Sequence, residues 1–199
     1  MTSSSTPKVI FPPEVFREDK VDPLFKMIVD YGFDKRKGHL IENHNTTDAW
    51  YLFRKILVFA AKRNLPVTLV TGKMLADFYN CLTEELNRLI ERGVPVQAYL
   101  TEIRPEKQEG FLRSNRFAQR LNKASVENPE AYTLAFMKPT EEEIPHVLYA
   151  GENGMAFRLE RDPDTHEAVA AFGPKKDPLG KVAVDMILPY IKRQQSFQS

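Results

Sequence analysis

Apolar side chains recur at helical spacing through the first half of the chain. The clearest pattern predicts a helix over residues 46–63, with Thr46 or Thr47 as its N-cap. Its apolar positions are Trp50, Phe53, Ile56, Leu57 and Ala60. A second apolar face predicts a helix over residues 73–92 that ends at Gly93. A shorter helix is predicted over residues 23–32, beginning at Pro23.

Two short apolar runs lie directly after the predicted helices. Residues 66–71 are rich in β-branched side chains, which indicates a buried strand, and residues 94–100 predict another. Because helices and strands alternate with short connections, the order indicates parallel strands covered by helices. We therefore expect an α/β fold with a mixed, largely parallel sheet flanked by helices.

The second half of the chain predicts a less regular set of elements. We expect a helix over residues 112–126, a strand over 132–138, and two strands over 146–150 and 155–160 joined by a turn at 152–154. Residues 166–172 fit a strand or a loop. The last helix is predicted over residues 178–193, with Val182, Met186 and Ile187 facing inward and Pro189 bending it or ending it early.

These patterns predict one domain with two flanking segments. Residues 1–22 mix Ser, Thr, Pro and charged side chains and are interpreted as an N-terminal arm. Residues 23–193 form the predicted α/β domain, and residues 194–199 form a C-terminal tail. Internal repeats are absent from the sequence.

Composition and charge narrow the class of protein. The 199 residues carry 28 basic and 27 acidic side chains, so the basic excess typical of a dedicated DNA-binding module is missing. The longest apolar run, residues 56–61, is far shorter than the ~20 residues that cross a bilayer. With one cysteine, Cys81, and no signal-peptide pattern, we expect a cytoplasmic protein without membrane insertion.

Several kinds of catalytic or cofactor site have no counterpart in the sequence. Glycine-rich phosphate loops and the G-x-S-x-G motif are absent. His39 and His44 bracket Glu42 in a stretch interpreted as a loop, and a structural or surface role is favoured over metal binding. Cys81 is interpreted as a buried structural thiol rather than a nucleophile. No cofactor and no metal are expected.

Basic residues cluster on the helix predicted over residues 112–126. At ~100° per residue they fall within about an 80° arc beside an apolar stripe. They are Arg113, Arg116, Arg120 and Lys123. This face suits an anionic partner, whether phosphate, nucleic acid or an acidic protein surface, and it also fits a solvated helix face. Arg158 and Glu160 share one face of a strand, as a binding pair or a structural ion pair.

Two stretches resemble the first half of a phospholipase D-like domain. Residues 60–70 (AAKRNLPVTLV) and 87–96 (NRLIERGVPV) are similar to that family's helix, basic turn, strand and "G-V-x-V" pattern. His146 lies where the family places its H-x-K-x-x-x-x-D motif. The resemblance covers roughly residues 40–192, and it implies a phospholipase D-like α/β fold.

The motif departs from the family pattern at two positions. In active members the resemblance implies a histidine that attacks phosphorus, forming a phosphohistidine, and a lysine that holds the phosphate oxygens. Here Leu148 stands at the lysine position and Asn153 at the aspartate position. Because leucine supplies neither charge nor hydrogen bonds to a developing phosphorane, the resemblance implies a catalytically degenerate member.

The function expected from these observations is binding or regulation without catalysis. An inhibitor or adaptor acting on a larger protein or nucleic-acid-handling machine, for example a conjugation apparatus, fits this description. The predicted contact residues are Arg113, Arg116, Arg120, Lys123 and Arg158. One alternative is a phosphodiesterase or nuclease that uses His146, with its cation supplied by Arg158 or by the second subunit of a homodimer. Nucleic-acid binding without cleavage is the other alternative.

Overall fold

The computed structural model describes residues 13–35, 39–43, 45–137, 144, 146–152, 154–162, 167–172 and 178–195. Over these residues one seven-stranded sheet runs in the order β1-β7-β6-β5-β2-β3-β4. The strands are β1 (His39–Asn43), β2 (Val67–Thr71), β3 (Val96–Leu100), β4 (Tyr132–Phe136), β5 (Val147–Ala150), β6 (Ala156–Asp162) and β7 (Glu167–Phe172). The predicted α/β class, with a mixed sheet flanked by helices, is confirmed.

Strand direction divides the sheet into two halves. β2, β3 and β4 are parallel neighbours, whereas the pairings β2–β5, β5–β6, β6–β7 and β7–β1 are antiparallel. The parallel part is therefore smaller than the sequence predicted. Since only β5 and β7 run against the rest of the described strands, the carboxyl ends of β1, β6, β2 and β3 lie along one edge. β5 begins at that same edge.

In the described part of the chain, six α-helices precede β4. They are α1 (Pro23–Lys35), α2 (Thr46–Arg63), α3 (Ala76–Asn80), α4 (Thr83–Glu91), α5 (Gln108–Ser114) and α6 (Arg116–Glu127). Side chains of α2, α4 and α6 pack with those of β2 and β3 into one large apolar core. The N-cap of α2 is Asn45, whose side chain accepts a hydrogen bond from the Asp48 amide. The predicted caps Thr46 and Thr47 are therefore wrong, because both lie within the first turn of the helix. The predicted helix over residues 46–63 is confirmed.

The opposite face of the sheet is covered by α7 (Pro178–Gln195), which packs on β5 and β6. The inward side chains are Val184, Ile187 and Ile191, spaced for one helical face. The predicted inward positions Val182 and Met186 are wrong, because these side chains are 52% and 43% exposed. Pro189 also does not end the helix. It lies exposed like Asp185, so the carbonyl that loses its amide partner lies on the solvent side.

Two predicted helices are each broken in the structure. The predicted helix over residues 73–92 divides into α3 and α4 around Cys81, and the one over 112–126 divides into α5 and α6 at Asn115. The breaks contact each other, since the Asn80 side chain accepts a hydrogen bond from the Arg116 amide at 2.6 Å. The side chain at the α3–α4 break therefore satisfies backbone groups at the α5–α6 break.

Other predicted elements have mixed outcomes. The hairpin of β5 and β6 is confirmed, as are the strands β2, β3 and β4. Residues 39–43, interpreted from sequence as a loop, form strand β1, which pairs with β7 near the opposite end of the chain. Residues 167–172 are that strand β7. Ahead of α1, Phe16 and Val21 are buried in the core.

Among the described residues, none of the helices is both long and apolar enough to cross a membrane.

Candidate functional site

A pocket opens at the edge of the sheet formed by the strand ends. It lies beyond the carboxyl ends of β2 and β3 and next to the start of β5, and its volume is about 350 Å³. In open α/β sheets, ligands bind outside the carboxyl ends of strands, where loops from neighbouring strands diverge. The position of this pocket is therefore that of a ligand site.

His146 lies at the start of β5 and faces the pocket. Its Nδ1 lies 2.8 Å from Glu160 Oε2, and the Glu160 amide donates to the His146 carbonyl at 2.9 Å. The backbone bond places the two side chains opposite each other on neighbouring strands. Because Glu160 is acceptor-only when ionised, Nδ1 carries a proton in this pair. Nε2 is then a lone-pair site when the imidazole is neutral and a donor when it is charged.

Arg158 forms the charged floor of the pocket. It is only 4% exposed, its Nη2 lies 3.6 Å from Glu160 Oε1, and its Nε donates to Asn43 Oδ1 at 3.2 Å. Its guanidinium also stacks over the Phe53 ring at 5.2 Å. Burial lowers the pKa of Arg158, and the charge of Glu160 opposes that shift. The ion pair between Arg158 and Glu160 that the sequence suggested is thus present.

Lys73 and Glu102 lie at the mouth of the pocket. Lys73 Nζ is 3.2 Å from Glu102 Oε2, and Glu102 Oε1 is 3.9 Å from His146 Nε2. The backbone pairing of β2 with β3 continues past the strand ends, since the Glu102 amide donates to the Gly72 carbonyl at 3.1 Å. A side chain at position 72 would overlap the Glu102 carboxylate, so glycine is what lets that carboxylate cross to His146.

The remaining walls are mostly apolar and aromatic. They include Phe53, Met74, Phe78 and Tyr79, with Leu75 at the exposed rim. Burial raises the pKa of Tyr79 well above its ordinary value, and a hydrogen bond with Thr71 and the charge of Arg158 oppose this only in part. The phenol therefore remains neutral and adds a polar atom without charge.

The rim of the pocket is held by a residue from a distant helix. Met74 adopts a left-handed backbone conformation with a φ of 47°, which is uncommon for residues other than glycine. Its carbonyl accepts a hydrogen bond at 2.8 Å from the buried side-chain Nδ2 of Asn115. The Oδ1 of the same side chain caps α6 by accepting from the Ala118 backbone amide. One side chain thus fixes both the rim and the first turn of α6.

The basic residues predicted for partner binding do not share one surface with this pocket. Arg113 is on α5 and pairs with Glu109, whereas Arg116, Arg120 and Lys123 are on α6. Arg120 Nε donates to Asn87 at 2.8 Å, and Lys123 lies 3.8 Å from Glu127. Arg158 is in the pocket floor, away from this group. The break at Asn115 means that the basic helix face is not one continuous helix.

Leu148 occupies the position that the resemblance assigns to a lysine, and it is 1% exposed in the core. Directly across the β5–β6 pairing, its partner in register is Arg158. A cation is therefore present beside the family's lysine position, but on the neighbouring strand. Asn153, at the family's aspartate position, lies outside the described residues, as do His44 and the side chain of His39.

Two further candidates considered from the sequence were a metal site and the thiol of Cys81, which was interpreted as buried. In the described part of the chain, no group of three His, Cys, Asp or Glu side chains is placed to hold a metal ion. Cys81 is half-buried, and burial raises the pKa of its thiol.

Sequence reasoning singled out His146, Arg158 and Glu160 but missed Asn43, Lys73 and Glu102. A usable signal existed for two of these. Lys73 and Glu102 each follow the end of a predicted parallel strand by two residues, and such positions meet at one edge. Asn43 gave no such signal, because its strand was not predicted.

Comparison with known proteins gives likeness in fold but none in sequence. No protein-family model and no curated protein sequence matches the chain. The archaeal chromatin protein TrmBL2, described as showing a novel mode of DNA binding, aligns with 77% of this chain at 11% identity and a TM-score of 0.53. This chain spans about half of that protein, with 52% of it covered.

Polyphosphate kinase from Porphyromonas gingivalis is also similar in structure. It aligns with 89% of this chain at 14% identity and a TM-score of 0.50, and 28% of the kinase chain is covered. The fold of that kinase is phospholipase D-like. At such identities the likeness concerns the fold alone, and it supports the phospholipase D-like fold predicted from the sequence.

Proposed function

We propose that this chain is a binding protein on a phospholipase D-like scaffold, and that its site is the pocket at His146. The ligand is a small molecule with an anionic group. The observation that carries this proposal is the convergence of His146, Arg158 and Lys73 in one pocket that is otherwise mostly apolar. A concave, largely apolar pocket with a few convergent polar groups is the usual form of a ligand site.

The pocket holds two carboxylates, Glu102 and Glu160, but three of its features attract an anion that displaces the exposed Glu102. Arg158 is buried beneath it, and Lys73 is at its mouth. Helix α2 begins at Thr46, which lines the pocket, so the positive end of the helix dipole lies on the pocket wall. Glu160 is engaged with His146 at 2.8 Å and so orients the imidazole.

Leu148 favours binding over turnover. In a phosphoryl-transfer site, fixed cations stabilise the charge that develops on the phosphate oxygens. Leu148 lies where the family resemblance places such a cation, and Arg158 is already engaged with Glu160 and Asn43. The pocket is therefore better suited to hold an anion than to stabilise its transition state.

The first test is calorimetric titration of the purified protein with phenyl phosphate at low ionic strength. We expect saturable binding that His146→Gln weakens at least about tenfold, the loss typical of a charge-assisted hydrogen bond. Arg113→Gln on α5 is the matched control and leaves the affinity unchanged. Equal affinity in the wild type and the His146→Gln variant would exclude the pocket as the site.

A phosphodiesterase is the second candidate. Leu148 argues against it, but Arg158 lies in register on the neighbouring strand and is a cation close to the position that Leu148 leaves uncharged. In that mechanism His146 Nε2 attacks phosphorus, and the bond to the leaving alcohol breaks as that oxygen takes up a proton from a water molecule. A second water then cleaves the phosphohistidine. Hydrolysis of bis(4-nitrophenyl) phosphate in EDTA tests it. Activity abolished by His146→Ala supports this candidate, and a second subunit supplying a cation would show as a dimer in sedimentation.

A regulatory role with a macromolecular partner is a further proposal for the α5–α6 surface. Arg113 and Lys123 are 76% and 71% exposed, which supports their availability to an acidic partner. An inhibitor or adaptor of a larger machine, for example a conjugation apparatus, would use such a surface. Nucleic acid is the alternative partner, and the DNA-binding description of TrmBL2 allows it.

Affinity purification from the native host separates these partners. The wild type is compared with a variant carrying Arg113→Glu, Arg116→Glu and Arg120→Glu. A protein recovered only by the wild type supports the regulatory role. Recovery of nucleic acid whose binding weakens steeply with salt supports the alternative, because each phosphate contact releases counterions. Identical recovery by both proteins excludes this surface.

A further inference from the structure

The side chain of Glu102 occupies the part of the pocket where an anionic ligand would bind. Its carboxylate lies 3.2 Å from Lys73 Nζ and 3.9 Å from His146 Nε2, the two groups available at the mouth. Its side chain is 45% exposed and follows the end of β3 by two residues, so it is held by contacts at its tip rather than by packing.

Gly72 is the structural condition for this contact. The backbone bond from the Glu102 amide to the Gly72 carbonyl aligns the two residues side by side. A Cβ at position 72 would overlap the Glu102 carboxylate and lie 3.0 Å from His146 Nε2. Since the φ angle of Gly72 is not one that requires glycine, space rather than backbone conformation accounts for the residue here.

Displacing Glu102 changes the charge of the pocket. With Glu102 in place, Lys73 and Arg158 are balanced by Glu102 and Glu160. Once Glu102 turns to solvent, two cations face one carboxylate, and that carboxylate is committed to His146. An incoming anion then restores the balance by pairing with Lys73 and with the protonated form of His146.

The rest of the pocket indicates the body of the ligand. Beyond the charged mouth, the walls are the rings of Phe53, Phe78 and Tyr79 and the side chain of Met74, all buried. Phe53 packs edge-on against Phe78 with ring centroids 5.1 Å apart, so each ring holds the other in place as part of the pocket wall. A cavity of about 350 Å³ accepts a ring-sized group in addition to a small anion.

We propose that Glu102 is a built-in competitor that holds the place of the ligand's anion, and that the ligand joins one phosphate or carboxylate group to an apolar, ring-sized body. This inference rests on the proposed function of the pocket. The ligand must displace Glu102 in order to reach Lys73 and His146, so the affinity measured for the wild type includes the loss of that internal contact.

The test compares two probes on three proteins. Inorganic phosphate and phenyl phosphate are titrated against the wild type, Glu102→Gln and Glu106→Gln. Glu106→Gln is the charge-matched control, because it neutralises an exposed carboxylate two residues before α5 begins. We expect phenyl phosphate to bind at least about tenfold more tightly than phosphate, because the ring buries apolar surface. Glu102→Gln strengthens both about two- to fivefold, the range of exposed ion pairs. Glu106→Gln changes neither affinity.

A second readout requires no ligand. Carbethoxylation of His146 by diethyl pyrocarbonate, followed by peptide mass mapping, measures access to the imidazole. We expect a faster reaction in Glu102→Gln than in the wild type or in Glu106→Gln. Equal rates in all three would overturn the contact between Glu102 and His146.

The outcomes separate this inference from the proposal beneath it. Phenyl phosphate binding that Glu102→Gln does not strengthen overturns the competitor role and leaves the pocket as a binding site. Equal affinity for phosphate and phenyl phosphate overturns the claim that the ligand has an apolar, ring-sized part. If neither probe binds any of the three proteins, both the inference and the proposed function fail.

Discussion

The α5–α6 surface and the His146 pocket both hold basic side chains, but the two regions hold them differently. Arg113 and Lys123 pair with carboxylates four residues away on their own helices and are mostly exposed. Arg158 is buried and contacts Asn43, which is 115 residues away in sequence. Exposed pairs of the first kind contribute little to stability, whereas removing one partner of a buried pair is costly. The same positive charge is therefore expected to matter little for stability on the α5–α6 surface and much more in the pocket.

The largest expected effect is that of Arg158→Met. It leaves Glu160 in a buried position without its neighbouring cation, so the free energy of unfolding falls by about 3–5 kcal/mol. Urea unfolding measures this. The matched change Arg113→Met on α5 alters stability by no more than about 0.5 kcal/mol. Similar losses for the two variants would remove the distinction between the regions.

The next effect concerns the link between the regions. Asn115→Ala removes the cap of α6 and leaves the Met74 carbonyl without its donor, so we expect a loss of about 2 kcal/mol or more. Asn122→Ala, within α6, is the control. An equal and small loss in both variants would mean that Asn115 does not hold the rim.

Alkaline pH tests the pocket through Tyr79. Burial raises its pKa in the folded protein above the value of about 10 for an unfolded chain. The neutral phenol therefore contributes fully to stability below about pH 10. As pH rises from there towards the folded-state pKa, the unfolded chain ionises first, and the free energy of unfolding falls by up to ~1.4 kcal/mol per pH unit. Tyr79→Phe lacks this loss. Urea unfolding is measured between pH 9 and 11, and the free energy of unfolding should fall less steeply with pH in Tyr79→Phe than in the wild type. Identical slopes for the two proteins would contradict a buried phenol.

Arg120→Met is expected to reduce stability by an amount between the effects of Arg113→Met and Arg158→Met. Arg120 is half-buried, and its hydrogen bond to Asn87 joins α6 to α4. A single such bond contributes about 1 kcal/mol to stability. A loss between those of the Arg113 and Arg158 variants, measured by urea unfolding, would show a gradation from surface to pocket. A loss as large as that of Arg158→Met would contradict this ranking.

Sequence patterns predicted what depends on local spacing. The helix that became α2, the strands β2 and β3, and the β5–β6 hairpin follow from apolar periodicity and turn residues. Strand alternation also placed Arg158 and Glu160 on one face, as the structure has them. These features depend on residues close together in the chain.

Features that depend on distant partners were missed. Asn115 reads as an ordinary helix residue until Met74, 41 positions earlier, supplies a carbonyl for its amide. Strand β1 is short and partly polar, and its pairing with β7 is what makes it a strand. On α7, Val182 was predicted to face inward because it is apolar. The helix has more apolar residues than its inward face has positions, and Val184, Ile187 and Ile191 fill that face.

The double role of Asn115 has a consequence for how the molecule opens. Its side chain closes the first turn of α6 and the backbone turn at Met74 at once, so neither can loosen while the other stays intact. In hydrogen-exchange experiments, the Ala118 amide and the amides around Met74 would then exchange with one shared rate, as a single cooperative unit. Opening of the rim at Met74 and fraying of a helix 41 residues further along would be the same event.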